Sequence, residues 1–211
     1  MKKQPIILVG GGGHCRSAID VIEAENKYRI IGILDIREKI GEKILGHEII
    51  GTDESLSRLM VKCKNYIVTV GQIKSARLRI DLYNKIKRAG GTLPNIISPN
   101  AYVSKYAKLG EGNIIMHQSI INANVYIKNN CIINNQALIE HDCKISSHVH
   151  ISTKSTVNGD CIIDEGSFIG SGSTLIQGIK VAENVVVGAG CIVTKDIRRN
   201  CTVFGNPARV I

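Results

Sequence analysis

From residue 101 to residue 196 the sequence divides without insertion into sixteen six-residue units, and the third residue of every unit is Val, Ile or Leu. The run begins AYVSKY, AKLGEG, NIIMHQ and ends IKVAEN, VVVGAG, CIVTKD, with Ile97 in frame upstream. A helix does not repeat every six residues. A chain that lays down one short strand and one corner per unit does, so the pattern predicts a parallel β-helix. Six residues make one face and its corner, so three units close a coil of about 18 residues. Position one is mostly small (Ala, Ser, Cys, Asn), as befits a side chain sharing a narrow interior with the branched residue two places on. Positions four to six are rich in Gly, Asn, Ser and Asp, which tolerate a corner. Each interior Ile or Val contributes roughly 1.5–3 kcal/mol of burial, and only when coils stack on one another.

The first ninety residues read differently. PIILVG, RIIGILD and NYIVTV are buried-strand runs. CRSAIDVIEAE, DESLSRLMV and SARLRIDLYNKIKRAG read as helices. Alternating strands and helices predict a small Rossmann-like α/β lobe with a three-stranded parallel sheet. GGTLPNIISPN, with two prolines and a glycine pair, is boundary chemistry. The expected division is an α/β domain over 1–94 and a β-helix domain with a C-terminal tail over 95–211.

Composition narrows the function. A 44% hydrophobic content suffices for packed cores. The formal net charge is +9, but only 4% of residues are aromatic and no Lys/Arg block interleaves with stacking side chains. Nucleic acid is therefore disfavoured, and phosphorylated small molecules explain the basic excess equally well. No apolar run approaches membrane-span length, and MKKQPIILVGGGGH turns into glycines in place of a signal-cleavage site. A cytoplasmic protein with no membrane span is expected. The cysteines at 15, 63, 131, 143, 161, 191 and 201 are odd in number, irregularly spaced and without a C-x-x-C pair, which argues against a disulfide framework or a zinc knuckle.

Gly10 to Gly13 follow a strand and precede a helix, where backbone amides and a helix N-terminus can approach phosphates. Cys15 stands where a dinucleotide fingerprint wants Gly or Ala, and Asp35 closes the second strand where an acid can meet a ribose or base. A ligand-free tight turn and an NAD-dependent oxidoreductase are the competing readings. A three-stranded lobe is half a dinucleotide fold, so a single nucleotide fits better.

The hexad frame also sorts the histidines. His141, in ALIEHDCKISSH, is at position five of its unit and projects outward beside a corner. Gly159 holds the same position one coil on, about 4.8 Å away across a parallel ladder. A base beside a bare backbone suits acyl transfer, with an amide N–H facing the oxyanion. A solvated surface histidine is the alternative. Metal binding ranks lower, because none of the separations among His117, His141, His148 and His150 is 18 or 36, so none stacks. No metal is expected. Cys131, Cys143, Cys161 and Cys191 hold position one and point inward, so they are core residues and not nucleophiles.

The chain as a whole resembles the bacterial nucleotide-sugar acetyltransferases of the hexapeptide-repeat class. The resemblance rests on GGGGHCRSAIDVIE, IIGILD, LIEHDCKISSHVHIS, TVNGDCIIDEGSFIGSGST, VVVGAGCIVTKDI and GNPARVI, and covers nearly all of residues 5–211. It implies a left-handed β-helix, a handedness that periodicity does not supply. It further implies acetyl-CoA as donor and a C4-amino group of a UDP-, dTDP- or GDP-linked 4-amino-4,6-dideoxy sugar as acceptor, in glycan or lipopolysaccharide biosynthesis. His141 would be the catalytic base and Asp142 the acid that raises its basicity. His150, Gly159, Ser171, Ala189 and Arg209 would meet acetyl-CoA, and Gly12, Gly13, His14, Asp35 and Gly71 the sugar nucleotide. Homotrimers with active sites between subunits are implied as well. Ser146 and Lys154 stand where relatives often have Gly, and Ile36 where some carry a second acid. O-acetylation of sialic acid or a related hydroxyl is the alternative activity, and a non-catalytic sugar-nucleotide or NAD-binding protein the alternative class.

Overall fold

The computed structural model describes residues 3–211, so the first two residues of the expected 1–94 lobe lie outside the described residues. The apolar run of β1 (Gln4–Val9) is buried on both faces, as a central parallel strand must be. It leads through the glycines into α1 (Gly13–Glu25), whose Cys15, Ala18, Ile19 and Ile22 recur at helical spacing on the covered side. Asn26 ends the helix in the left-handed region, at φ 60°. Then follow β2 (Tyr28–Leu34), β3 (Lys43–Ile44), β4 (His47–Gly51), the single turn α2 (Leu56–Leu59), β5 (Asn65–Val68) and α3 (Arg77–Arg88).

The sheet has five strands in the order β3-β4-β2-β1-β5, against the three expected from the sequence. The two extra strands form an antiparallel hairpin that adds β4 beside β2. The apolar part of β4 is the two residues Ile49 and Ile50, and Leu45–Gly46 turns the hairpin with both residues at positive φ. Leucine is not a residue that announces such a turn. The DESLSRLMV run is a 3-10 turn followed by the short α2.

From Ile96 onward, two-residue strands at positions two and three of each unit build three parallel sheets. Face I runs from Ile96–Ile97 through His150–Ile151 to Val186–Val187, face II from Tyr102–Val103 to Ile192–Val193, and face III from Lys108–Leu109 to Lys180–Val181. Partners are 18 residues apart throughout, as in Ile120 with Leu138 and His150 with Phe168. The interior Ile, Val and Leu of position three stack into one core with Cys131, Cys143, Cys161 and Cys191. Position six carries the bend: from Gly112 to Gly190 every unit has φ between 54° and 75° there. Gly, Asn and Asp accept that conformation readily, and Gln118, Gln136 and Lys154 adopt it against their preference. The tail closes the end of face I with strands Thr202–Phe204 and Arg209–Val210. Among the described residues no helix is long and apolar enough to cross a membrane.

The α/β lobe packs on face I and on its two edges. Ile96, Ile114 and Met116 join the core under α1. On the edge between faces III and I, the fully buried Arg79 of α3 donates to the Asn130 carbonyl and to Asn130 Oδ1 at 3.1 and 2.8 Å, and to Val70 O of its own lobe. On the edge between faces I and II, His117 Nε2 is 2.8 Å from Asp20 of α1.

Candidate active site

His141 and Asp142 form the corner between faces II and III. The left-handed backbone of Asp142, φ 64°, turns its carboxylate back onto the imidazole, and Oδ2 lies 2.7 Å from His141 Nδ1. That bond assigns the proton to Nδ1 and leaves Nε2 free to accept one. Asp142 is the first cause that raises the His141 pKa, and the Glu140 and Asp160 charges add to it. Asn124 and His141 in turn hold the Asp142 carboxyl below its usual range. The ring is open to solvent and lies over the bare Gly159 backbone, where an added Cβ would come within 2.7 Å of Cε1.

A second group of expected residues gathers where the lobe meets face I. Gly12 caps α1 with no side-chain bond, the first turn of the helix contains no acid, and side chains built on Gly12 or Gly13 would meet only open space. This helix end is thus free for an anion. His14 is largely buried, burial pushes it down to about 3, and its Nε2 has no hydrogen-bond partner. Gly71 lies beside it, where an added Cβ would stand 3.5 Å from His14 Cβ. His150 projects from face I with Nδ1 2.8 Å from the Gln72 carbonyl and Nε2 3.3 Å from Asn134 Nδ2. Burial pushes it down to about 4. Asp35 accepts from the Gly11 and Ile36 amides at 2.9 and 2.8 Å and pairs with Lys39 at 3.1 Å. It also lines a cavity of about 380 Å³ at the ends of β1, β2 and β5, with Gly10, Ile36, Val70 and Leu78. That is the switch point of the sheet, where such folds take ligands.

These two groups do not meet within one chain. Face I is bounded by the two edges the lobe covers, and the His141 corner is the third edge of the prism, opposite face I. Ser171 and Ala189 share the face I–II edge, Ser171 Oγ at 2.9 Å from Ser152 Oγ. Arg209, on the last strand, lines a cavity of about 470 Å³ with Lys195, Arg198 and Cys201.

Residues 5–86 match the PglD N-terminal domain family. The whole chain is similar to the structure of PerB from Caulobacter crescentus in complex with CoA and GDP-perosamine: 30% identity, a TM-score of 0.92, and coverage of 98% of this chain and 97% of that one. It is similar to the acetyltransferase domain of PglB from Neisseria gonorrhoeae FA1090 in complex with acetyl coenzyme A, at 31% identity, a TM-score of 0.92 and full coverage of both chains. The chain belongs to the bacterial nucleotide-sugar acetyltransferases. Its β-helix is accordingly the left-handed parallel form of that family. A shorter segment matches the serine acetyltransferase of Synechococcus elongatus, 44% identical over 43 residues, which spans only 18% of that protein.

Several residues of this acetyltransferase fold's candidate site were not visible in the sequence. Gln72 is buried and ties the lobe to the solenoid, donating to His148 O at 2.7 Å while its own carbonyl fixes the His150 tautomer. Phe168 packs edge-on against His150, with ring centroids 5.1 Å apart. His148 Nδ1 accepts from Asn130 Nδ2 at 2.9 Å and its ring meets the Tyr83 ring, so it packs the lobe contact. Asn134 is one of many corner asparagines, and nothing but its 18-residue register beneath Ser152 and beside His150 distinguishes it.

Proposed function

We propose that the protein transfers an acetyl group from acetyl-CoA to the C4 amino group of a nucleotide-linked 4-amino-4,6-dideoxy sugar. The observation that carries the reading is the His141–Asp142 pair, oriented with a free Nε2 over the uncovered Gly159 backbone. Similarity along the whole chain to proteins crystallised with CoA, acetyl coenzyme A or GDP-perosamine supports the choice of donor and acceptor. His141 Nε2 takes a proton from the amine as its nitrogen attacks the thioester carbonyl. The C–N bond forms, the C–S bond breaks, and the proton passes to the leaving thiolate, giving an acetamido sugar and CoA. The burial of the neighbouring Cys143 and Cys161 supports direct transfer. The base contributes about 10²–10⁴ in rate, and the Gly159 amide serves as an oxyanion donor worth about 10²–10³.

On this reading residues 1–94 bind the sugar nucleotide. Gly12, Gly13 and His14 face the phosphates, Gly71 adjoins them, and Asp35 shapes the cavity that takes the nucleoside. Residues 95–211 bind acetyl-CoA along His150, Gly159, Ser171 and Ala189, with Arg209 toward its phosphates. The opposed placement of His141 and His150 supports a homotrimer in which the corner of one subunit faces the lobe of its neighbour. A cytoplasmic place in glycan assembly follows from the soluble substrates. The test is a panel of UDP-, dTDP- and GDP-linked 4-amino sugars with acetyl-CoA, read by thiol release. Turnover on one nucleotide class is expected. Turnover on free sialic acid, with none on any amino sugar, would replace N- by O-acetylation.

A further inference from the structure

The coil that precedes the His141 corner carries a template for it. Units SIINAN (119–124) and ALIEHD (137–142) pair in register, Ile120 with Leu138 and Ile121 with Ile139. Asn122 therefore adjoins Glu140, Ala123 adjoins His141, and Asn124 adjoins Asp142. Asn124 Nδ2 is 2.6 Å from Asp142 Oδ1, and Asn122 Nδ2 is 2.8 Å from Glu140 Oε2. A carboxylate only accepts, so both amides donate. Asn124 and Asp142 are both left-handed, at φ 59° and 64°, which sends their side chains off the corner in the same direction one coil apart.

We propose that Asn124 is a positioning residue for catalysis: its amide engages one oxygen of Asp142 and commits the other to His141 Nδ1. This rests on His141 being the base. An exposed aspartate without such a partner has several rotamers open to it, and only one of them holds the ring with Nε2 outward. The amide is suited to the task because it adds no charge. Three acids already face His141: Glu140 and Asp142 on its own corner and Asp160 on the next coil. Asn122 holds Glu140 in the same manner, which leaves the Nδ1 position to Asp142 alone and gives Glu140 a role as a fixed background charge.

The test compares Asn124→Gly, Asn122→Ala and His141→Asn in the full-length protein. Glycine keeps the left-handed corner, as Gly166 and Gly172 do at the equivalent position. In Asn124→Gly, kcat falls about tenfold with both KM values within about twofold, the size expected for one charge-assisted hydrogen bond at an exposed site. The acid limb of its kcat profile also moves to lower pH. Asn124→Asp, of the same shape but without the donor, moves that limb to higher pH while kcat still falls. An Asn124→Gly enzyme with unchanged kcat and pH profile, alongside an inactive His141→Asn, overturns the positioning role and leaves the base intact. Equal losses in Asn122→Ala and Asn124→Gly overturn it too, since that marks general loosening of the corner. An active His141→Asn overturns the reading on which the proposal rests.

Discussion

The backbone of Gly159 passes beneath the imidazole of His141 so closely that a methyl group there would lie 2.7 Å from Cε1 and 2.9 Å from Nε2. Glycine is not required at that position by its backbone, which has no positive φ. The close approach is what excludes a side chain. Gly159→Ala is therefore expected to fold with near-normal thermal stability and to push the exposed ring off its axis. Misplacement of a catalytic group by about 1 Å costs roughly 10²-fold, so kcat should fall between 10- and 100-fold with little change in the melting temperature. Steady-state kinetics and a thermal melt on the same preparation check both halves.

The lobe contact predicts sensitivity to acid. Burial and the Arg79 charge push His148 down to about 4 and His14 to about 3, and burial likewise holds His150 near 4. All three are neutral in the folded protein and regain an ordinary imidazole pKa near 6.5 when the chain unfolds. Below about pH 6.5 the unfolded state thus binds more protons, so the stability that these groups contribute above that value drains away as pH falls toward about 4. Melting temperature measured from pH 7.5 to 4.5 should be level at first and then decline. Substituting His148 with Gln should flatten the decline, because that position no longer charges.

Much of this was legible in the sequence, for reasons that differ between the halves. A six-residue period leaves few geometries open, so the inward set, the outward His141 and the stacked Gly159 follow from counting. The period says nothing of contacts that cross between elements far apart in the chain. Gln72, Arg79 and Asn130 lie on three separate segments, and only the folded lobe brings them together. Likewise, the hairpin at β3 and β4 was missed because two apolar residues and a Leu–Gly turn give too little pattern to read. Asn124 was visible only as another corner residue, since asparagine is common at position six for its backbone alone.

Lys154 offers a test of that backbone argument. It holds φ 58° at position six on an exposed corner, where most other units have Gly, Asn or Asp. A non-glycine residue in the left-handed region costs roughly 1–2 kcal/mol, partly offset by the extra freedom glycine gains when unfolded. Lys154→Gly should stabilise the protein by about 0.5–1 kcal/mol, seen as a higher denaturant midpoint with unchanged slope. Activity should be unaltered.

If the corner of one subunit works with the lobe of another, two different inactive chains should rescue each other. His141→Asn removes the base. Gly13→Asp, built where a side chain meets open space, puts a negative charge at the start of α1 and repels phosphate. Equal co-expression gives random assembly, in which about a quarter of sites pair an intact corner with an intact lobe. Recovery of about that share of wild-type activity is expected. No recovery would mean that each chain completes its own site.

The most direct test of the whole account is the turnover number of His141→Asn on the amino-sugar nucleotide that the wild-type protein acetylates. Asparagine preserves size and polarity at an exposed corner, so folding and both KM values should hold. The account predicts that kcat drops by about 10²–10⁴ and that the residual rate loses the acid limb set by the raised His141 pKa. A kcat within a few-fold of wild type, with the acid limb still in place, would contradict it.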